Sequence, residues 1–343
     1  MKRRSFIIKS GLLTISGLAS GTFCQTTVNK SDPLQYEPAY LKLHQSGELK
    51  KRGEILWEIM RHCRLCPREC ETNRLEAETG VCRSTSQLEI SAAHPHFGEE
   101  RPLVGKKGSG TIFMTNCNLR CVFCINWRIN HLGMGSPRSI KNLADMMLDL
   151  QNKGCHNINL VTPTHYSPHI VMAVDLAAAR GLRIPLVYNT SGWERLEILK
   201  LIDGIVDIYL PDFKYSRSEM AGKYSAGAFS YPKVTRRALL EMQRQVGRAR
   251  PSANGLMTRG LMIRHLVLPN QVSGSKEIIS WIASNLPKET YLNLMSQYRP
   301  AHEASKYPKI SRRIKRKEYK EVVNWAKKSG LTNLDIQGFH WMT

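Results

Sequence analysis

The chain has 343 residues, 42% of them hydrophobic, with 50 Lys and Arg against 28 Asp and Glu, a formal net charge of +22. That length and apolar content support a full core, in one large domain or one plus an appendage, and exclude wholesale disorder. No apolar run reaches about 18 residues, which excludes a polytopic membrane protein, while the charge points to an anionic partner (nucleic acid, an acidic protein surface or a charged leaflet) or to a basic, solvated face.

Residues 2–9 read KRRSFIIK and are followed by GLLTISGLASGTF. A basic start, a modest apolar stretch and small residues are the parts of an export signal, with Ala19-Ser20-Gly21 as the cleavage site. Arg3-Arg4-Ser5-Phe6 resembles the twin-arginine type, which exports folded proteins. The expected location is therefore periplasmic or otherwise exported. The alternative is a cytoplasmic protein whose basic N-terminal tail leads into a short membrane-associated helix. Lipid attachment at Cys24 is disfavoured by the bulky Phe23 before it.

Residues 38–60 carry apolar side chains at loose helical spacing and predict a helix. Residues 61–83 are Cys-rich and polar. The passage HPHFGEERPLVGKKGSG (94–110) reads as irregular. From there strands and helices alternate. Strands are predicted at 111–116, 157–162, 184–189, 204–210, 260–268 and 290–295, and helices at 139–153, 168–180, 193–202, 233–246 and 275–285. The tail 298–343 holds 11 Lys and Arg against 4 Asp and Glu. Its densest positive block, SRRIKRK (311–317), precedes a helix at about 316–328.

The strands are near-continuous apolar runs, as expected where both sheet faces are covered. Their alternation with helices predicts an α/β fold with right-handed crossovers, a full or partial parallel (β/α) barrel of about six strands. A small Cys-rich, metal-binding segment precedes it. An open doubly wound sheet is the runner-up, without the GxGxxG of a dinucleotide fold. The expected division is 1–30 signal, 31–100 N-terminal helix and four-Cys segment, 101–300 barrel, and 301–343 basic tail.

Nine cysteines are too clustered for random core thiols. Cys117-x3-Cys121-x2-Cys124 follows the first barrel strand. Three thiolates on one loop can hold three irons of a [4Fe–4S] cube and leave the fourth open. A zinc site and a plain electron-transfer cluster are the alternatives. Cys63-x2-Cys66-x3-Cys70, with Cys82, suits a tetrahedral zinc ion or an auxiliary [4Fe–4S] cluster; disulfides or free thiols remain open as well. Cys155 reads as a buried structural thiol, and His94 and His96 as loop histidines.

The segment GSGTIFMTNCNLRCVFCINW resembles the radical S-adenosylmethionine superfamily. With CRLCPREC, NINLVTPTH, PLVYNTSGW, VDIYLPDFKY, IRHLVLPN and LNLMSQYRP it looks like the pyruvate formate-lyase activating enzyme-like branch, over about 61–300. The resemblance implies one [4Fe–4S] cluster held by Cys117, Cys121 and Cys124, with S-adenosylmethionine chelating the open iron. Reductive cleavage then gives a 5′-deoxyadenosyl radical that abstracts hydrogen. Phe123 matches the aromatic that shields the cluster. Where relatives have Gly-Gly-Glu-Pro, this chain reads Thr162-Pro163-Thr164-His165, so Thr164 and His165 become pocket candidates. Asn189, Thr190 and Ser191 occupy a strand end that contacts the cofactor in relatives. Asp212 and Lys214 match an Asp-x-Lys, with Lys214 a cation for the cofactor carboxylate. Arg264, in a core-like strand, needs an anion: that carboxylate, or an internal Asp such as Asp212. His302 loosely matches a Tyr-His pair.

Three functions follow. In one, the enzyme activates a glycyl radical partner protein, drawing its electron from a flavodoxin or ferredoxin and docking an acidic protein surface. In the second, the same chemistry acts on another peptide, a nucleic acid or a metabolite. The third is a non-catalytic metal-binding interaction protein. Nucleic acid is not the expected partner, because the basic tail lacks interleaved aromatics.

Overall fold

A computed structural model describes residues 36–338. The expected signal, with Arg3, Arg4 and Cys24, lies outside them. The strands are β1 (Leu88–His96), β2 (Ser109–Met114), β3 (Ser136–Arg138), β4 (Ile158–Val161), β5 (Leu186–Thr190), β6 (Ile208–Pro211), β7 (Arg250–Pro251), β8 (Met257–Leu266), β9 (Tyr291–Met295) and β10 (Leu334–Ile336). They form one sheet in the order β10-β9-β8-β6-β5-β4-β2-β1-β3, with β7 paired to β8. From β2 to β10 every neighbouring pair on this path is parallel; β1 is antiparallel to both β2 and β3.

All six expected strands are present, but the sheet is open, and the full barrel is corrected accordingly. The antiparallel β1 occupies the β2 edge that a closing parallel strand would need, and the path ends at β3 and β10 with no ladder joining them. The sheet still curls. Glu100, just after β1, accepts a hydrogen bond from Asn293 on β9 at 3.0 Å.

Side chains alternate across each strand. One face packs Ile112, Leu160, Leu186, Tyr188, Ile263 and Leu292 into the large core, together with the helices Ile140–Asn152, Ser167–Ala179 and Ser275–Asn285. The other face starts with a smaller apolar layer of Val187, Ile208, Leu210, Met262 and Tyr291, plugged by Leu103 from the short helix Arg101–Val104. Two residues further along, this same face turns polar: Asn189, Asp212, Arg264 and Asn293 succeed Val187, Leu210, Met262 and Tyr291. Polar side chains thus stand on an apolar floor at the C-terminal ends of the parallel strands.

The expected helix over 38–60 is broken by Gly47, at φ 75°, into Tyr40–Gln45 and Glu48–Glu58. Ser139 caps Ile140–Asn152 with a reciprocal Ser139/Asn142 box. Among the described residues no helix is long and apolar enough to cross a membrane.

Candidate active site

The loop after β2 carries the three cysteines and is pinned from several sides. The Thr115 amide donates to Glu89 O at 3.1 Å and the Asn116 side chain to Glu89 Oε2 at 3.0 Å. Asn116 and Arg120 hold left-handed φ of 66° and 52°. The Val122 amide donates to Tyr224 O at 2.9 Å, and Val122 O accepts from the Glu303 amide at 2.9 Å. Each sulfur receives a donor: Cys117 from the Leu119 amide at 3.4 Å, Cys121 from the Ser225 hydroxyl at 3.1 Å, and Cys124 from the Asn130 amide group at 3.3 Å. Burial pushes the Cys121 thiol up to about 12 and the Cys124 thiol up to about 11. As thiolates they therefore need a cationic partner, such as a bound metal.

The three cysteines line a cleft of about 490 Å³ with Phe123, Asn189, Thr190, Ser191, Asp212, Lys214 and Arg264. Arg264 Nε donates to Asp212 Oδ1 at 2.8 Å and Nη2 to Asn189 Oδ1 at 2.6 Å. Lys214 Nζ binds the other carboxylate oxygen at 2.5 Å. Burial opposes ionisation of Asp212, but Arg264 and Lys214 outweigh it and hold the carboxyl below its ordinary value. Arg264 thus finds its anion in Asp212, the internal partner weighed above, and not in a cofactor carboxylate alone. Tyr231 fixes the corner: its hydroxyl accepts from the Lys214 amide at 2.9 Å and faces the carbonyls of Ser191 and Asp212 at 2.8 and 2.9 Å. Gly192 is required there, because a Cβ would stand 2.3 Å from Asp212 O.

Two expected pocket residues lie elsewhere. Thr164 donates to the buried Glu194 at 2.6 Å, behind the strand ends, and takes no part in the cleft lining. His165 is buried with Nε2 at 2.9 Å from Thr115 O. The departure from Gly-Gly-Glu-Pro makes this stretch a structural turn that braces the cysteine strand. His302 stacks on Trp127 at 5.4 Å, outside the lining residues. His94 and His96, expected in a loop, lie on β1 and pack against Phe113, and His96 also lines the cleft. The lining also includes Glu99, Arg120, Gln297 and Arg299, which sequence reading missed. Glu99 was missed because β1 was not recognised as a strand, so nothing placed its end beside the cleft.

Cys63, Cys66 and Cys82 are buried, Cys70 is half-buried, and none is in a disulfide. The Cys63 amide donates to Thr72 O at 3.0 Å and the Glu71 amide returns to Cys63 O at 3.2 Å, so the chain doubles back within the set. The Val81 amide donates to Cys70 Sγ at 3.5 Å. Among the described residues no three His, Cys, Asp or Glu side chains close on a single metal ion. Arg68, two residues after Cys66, joins this set to the first: it donates to Asn118 O at 2.9 Å and Ser225 O at 3.1 Å, with its guanidinium 4.8 Å from the Trp193 ring.

The profile of the radical SAM superfamily matches residues 111–244. The chain is also 32% identical over 301 residues to the uncharacterized protein MJ0674 of Methanocaldococcus jannaschii, covering 84% of this chain and 80% of that protein. The chain belongs to the radical SAM superfamily. Among solved structures, SuiB of Streptococcus suis bound to S-adenosylmethionine is similar at a TM-score of 0.45 and 11% identity, over 65% of this chain and 48% of that one, so the match spans about half of SuiB. A radical SAM methyltransferase from Sphaerobacter thermophilus gives 0.42 and 13%, over 65% and 66%. Membership in the radical SAM superfamily brings a [4Fe–4S] cluster and S-adenosylmethionine. The donor set fits: three sulfurs, Cys117 and Cys121 buried and Cys124 half-buried, each already hydrogen-bonded, line one cleft with charged groups.

Proposed function

We propose that the cleft abstracts hydrogen from a bound substrate, using S-adenosylmethionine cleaved at a cluster held by Cys117, Cys121 and Cys124. The observation that carries this is the placement of the three sulfurs and the Asp212–Lys214–Arg264 network on one cleft. When bound, the cluster supplies the electron that cleaves the cofactor. The chain's own residues bind, orient and shield. Phe123, 5% exposed, sits between the second and third cysteines and covers the loop from water. Lys214 and Arg264, with Asn189 and Ser191, offer donors to a carboxylate. Ser191 Oγ is buried without a partner, as a ligand contact leaves it before binding.

Activation of a glycyl radical protein is the finer version of this reading. It calls for a flavodoxin- or ferredoxin-type donor and an acidic partner surface, and it is tested by a glycyl electron-spin signal in the partner. The altered Thr162–His165 turn favours the other version, in which a different peptide or a metabolite is the substrate. Deuterium transfer from labelled substrate into 5′-deoxyadenosine identifies it. Cys63, Cys66, Cys70 and Cys82 form, in the same proposal, a second metal centre holding zinc or an auxiliary cluster. Iron, sulfide and zinc analysis of Cys63→Ala against Cys117→Ala separates the two centres. Export by a twin-arginine route rests on Arg3-Arg4-Ser5-Phe6 and is tested by fractionating cells that express Arg3→Lys/Arg4→Lys.

A further inference from the structure

The polar layer beneath the cleft holds more acceptors than the chain supplies donors for. Glu99 and Glu100 follow β1, and Asn159 on β4 and Asn293 on β9 face into the same curl. Glu100 is 6% exposed; its Oε1 accepts from Asn293, and its Oε2 has no partner. Asn293 Oδ1 is unpartnered on a residue 1% exposed. Burial pushes the Glu99 carboxyl up to about 7, and Asn159, 0% exposed beside it, has neither amide atom in hydrogen-bond geometry. The nearest cation is Arg264, with Nη1 at 3.6 Å from Glu99 Oε2 and Nε at 4.0 Å from Glu100 Oε1. Arg264 is already committed to Asp212 and Asn189.

Charge tells the same story. Arg264 and Lys214 stand against Asp212, Glu99 and Glu100, which leaves one negative charge in excess once the pH is above about 7, to which burial pushes the Glu99 carboxyl up. A buried acceptor without a donor leaves its desolvation uncompensated, and several together directly behind Glu99, which lines the cleft, call for a ligand that brings donors. Water would supply hydrogen bonds but not the missing charge. An ammonium group supplies three donors, no acceptor and one positive charge. Glu99 lines the cleft, so the subsite is reachable from it.

We propose that Glu99 and Glu100, with Asn159 and Asn293, form a subsite for a cationic group of the substrate, an ammonium, at the floor of the cleft. This rests on the reading of the cleft as the place of hydrogen abstraction. The substrate is thereby an amine-bearing molecule or peptide side chain that enters past the cysteine loop, ammonium first. S-adenosylmethionine also carries an ammonium, and the test separates the two sources.

The full chain, reconstituted with cluster and saturated with S-adenosylmethionine, is mixed at pH 8 with n-butylammonium, n-butanol or butyrate. Binding is followed by saturation-transfer NMR. Butylammonium is expected to bind at least about tenfold more tightly than the other two, the equivalent of one charged hydrogen bond. Glu99→Gln should lose that advantage and Glu99→Asp should keep most of it, which separates loss of charge from loss of fold. Three probes that bind alike, or butylammonium binding indifferent to Glu99→Gln, overturn the proposal and leave the floor to buried water. Weakened S-adenosylmethionine binding in Glu99→Gln with unchanged butylammonium binding overturns the substrate assignment. Release of 5′-deoxyadenosine by the wild type without probe reports separately on the reading of the cleft.

Discussion

Asp212 accepts from two half-buried cations, and neither has another carboxylate at hydrogen-bond distance. Asp212→Asn keeps the shape and removes the charge that balances them. Breaking one partner of a fully buried pair costs about 3–5 kcal/mol; at 13–16% exposure and with Glu99 and Glu100 still near Arg264, urea unfolding should show a smaller loss, about 1–3 kcal/mol, and a variant as stable as wild type would refute the pairing. Glu194 behaves differently. Burial pushes its carboxyl up to about 7, while Thr164 and Thr190 donate to it. An acid whose folded pKa is raised binds its proton more tightly folded than unfolded, so its contribution to stability falls as pH rises from the ordinary carboxylate range to about 7. Glu194→Gln should therefore match wild type near pH 4 and exceed it at pH 8, by up to about 3 kcal/mol at 1.36 kcal/mol per unit. A gap independent of pH would contradict that. At this scale the sequence was informative where chemistry sits at a strand end. The Cys117, Cys121 and Cys124 spacing and Arg264 in an apolar strand were legible from the residues themselves, whereas Asn189, Ser191, Asp212 and Lys214 were expected from the family resemblance; the structure brings all of them to one cleft. Thr164 is not among them, because the turn after β4 directs it behind the sheet to Glu194, a partner 30 residues away.

Between residues 61 and 83 geometry is set by close approach. A Cβ on Gly80 would stand 2.6 Å from Cys70 Sγ. Gly80→Ala should push Cys70 aside, destabilise by about 1–3 kcal/mol through overpacking, and lower the metal content of the four-cysteine set while the 117/121/124 set keeps its iron. Equal metal loss at both sets would show that they do not load separately. The parallel strands were legible because each is a short apolar run between turn signals. β1 was not: LEISAAHPH mixes Pro and His into the strand, and its burial alternates only at the start. β3 and β10 are three residues each, too short for any periodicity to show. The consequence went beyond a boundary. Without β1 the sheet looked free to close, and the acidic pair that follows it had no place.

For the whole molecule, the charge of +22 divides by location. Five positive charges lie in residues 1–30, and residues 298–343 carry 11 basic against 4 acidic side chains. Arg264 and Lys214 serve the cleft, and Arg68 ties the two cysteine sets together, so part of the charge works inside the fold and carries no information about a partner. What remains on the surface suits an acidic protein as well as any other polyanion. Membership in the radical SAM superfamily, and not the charge, sets the chemistry. The central claim is that Cys117, Cys121 and Cys124 hold the cluster that cleaves S-adenosylmethionine. The most direct test incubates anaerobically reconstituted wild type and Cys117→Ala with S-adenosylmethionine and dithionite, and quantifies 5′-deoxyadenosine. The account predicts release by the wild type and a loss of at least about a hundredfold in Cys117→Ala, no less than the upper end of what losing an outer-shell partner costs a metal site. Equal release by the two proteins, or none from wild type that carries its iron, would contradict it.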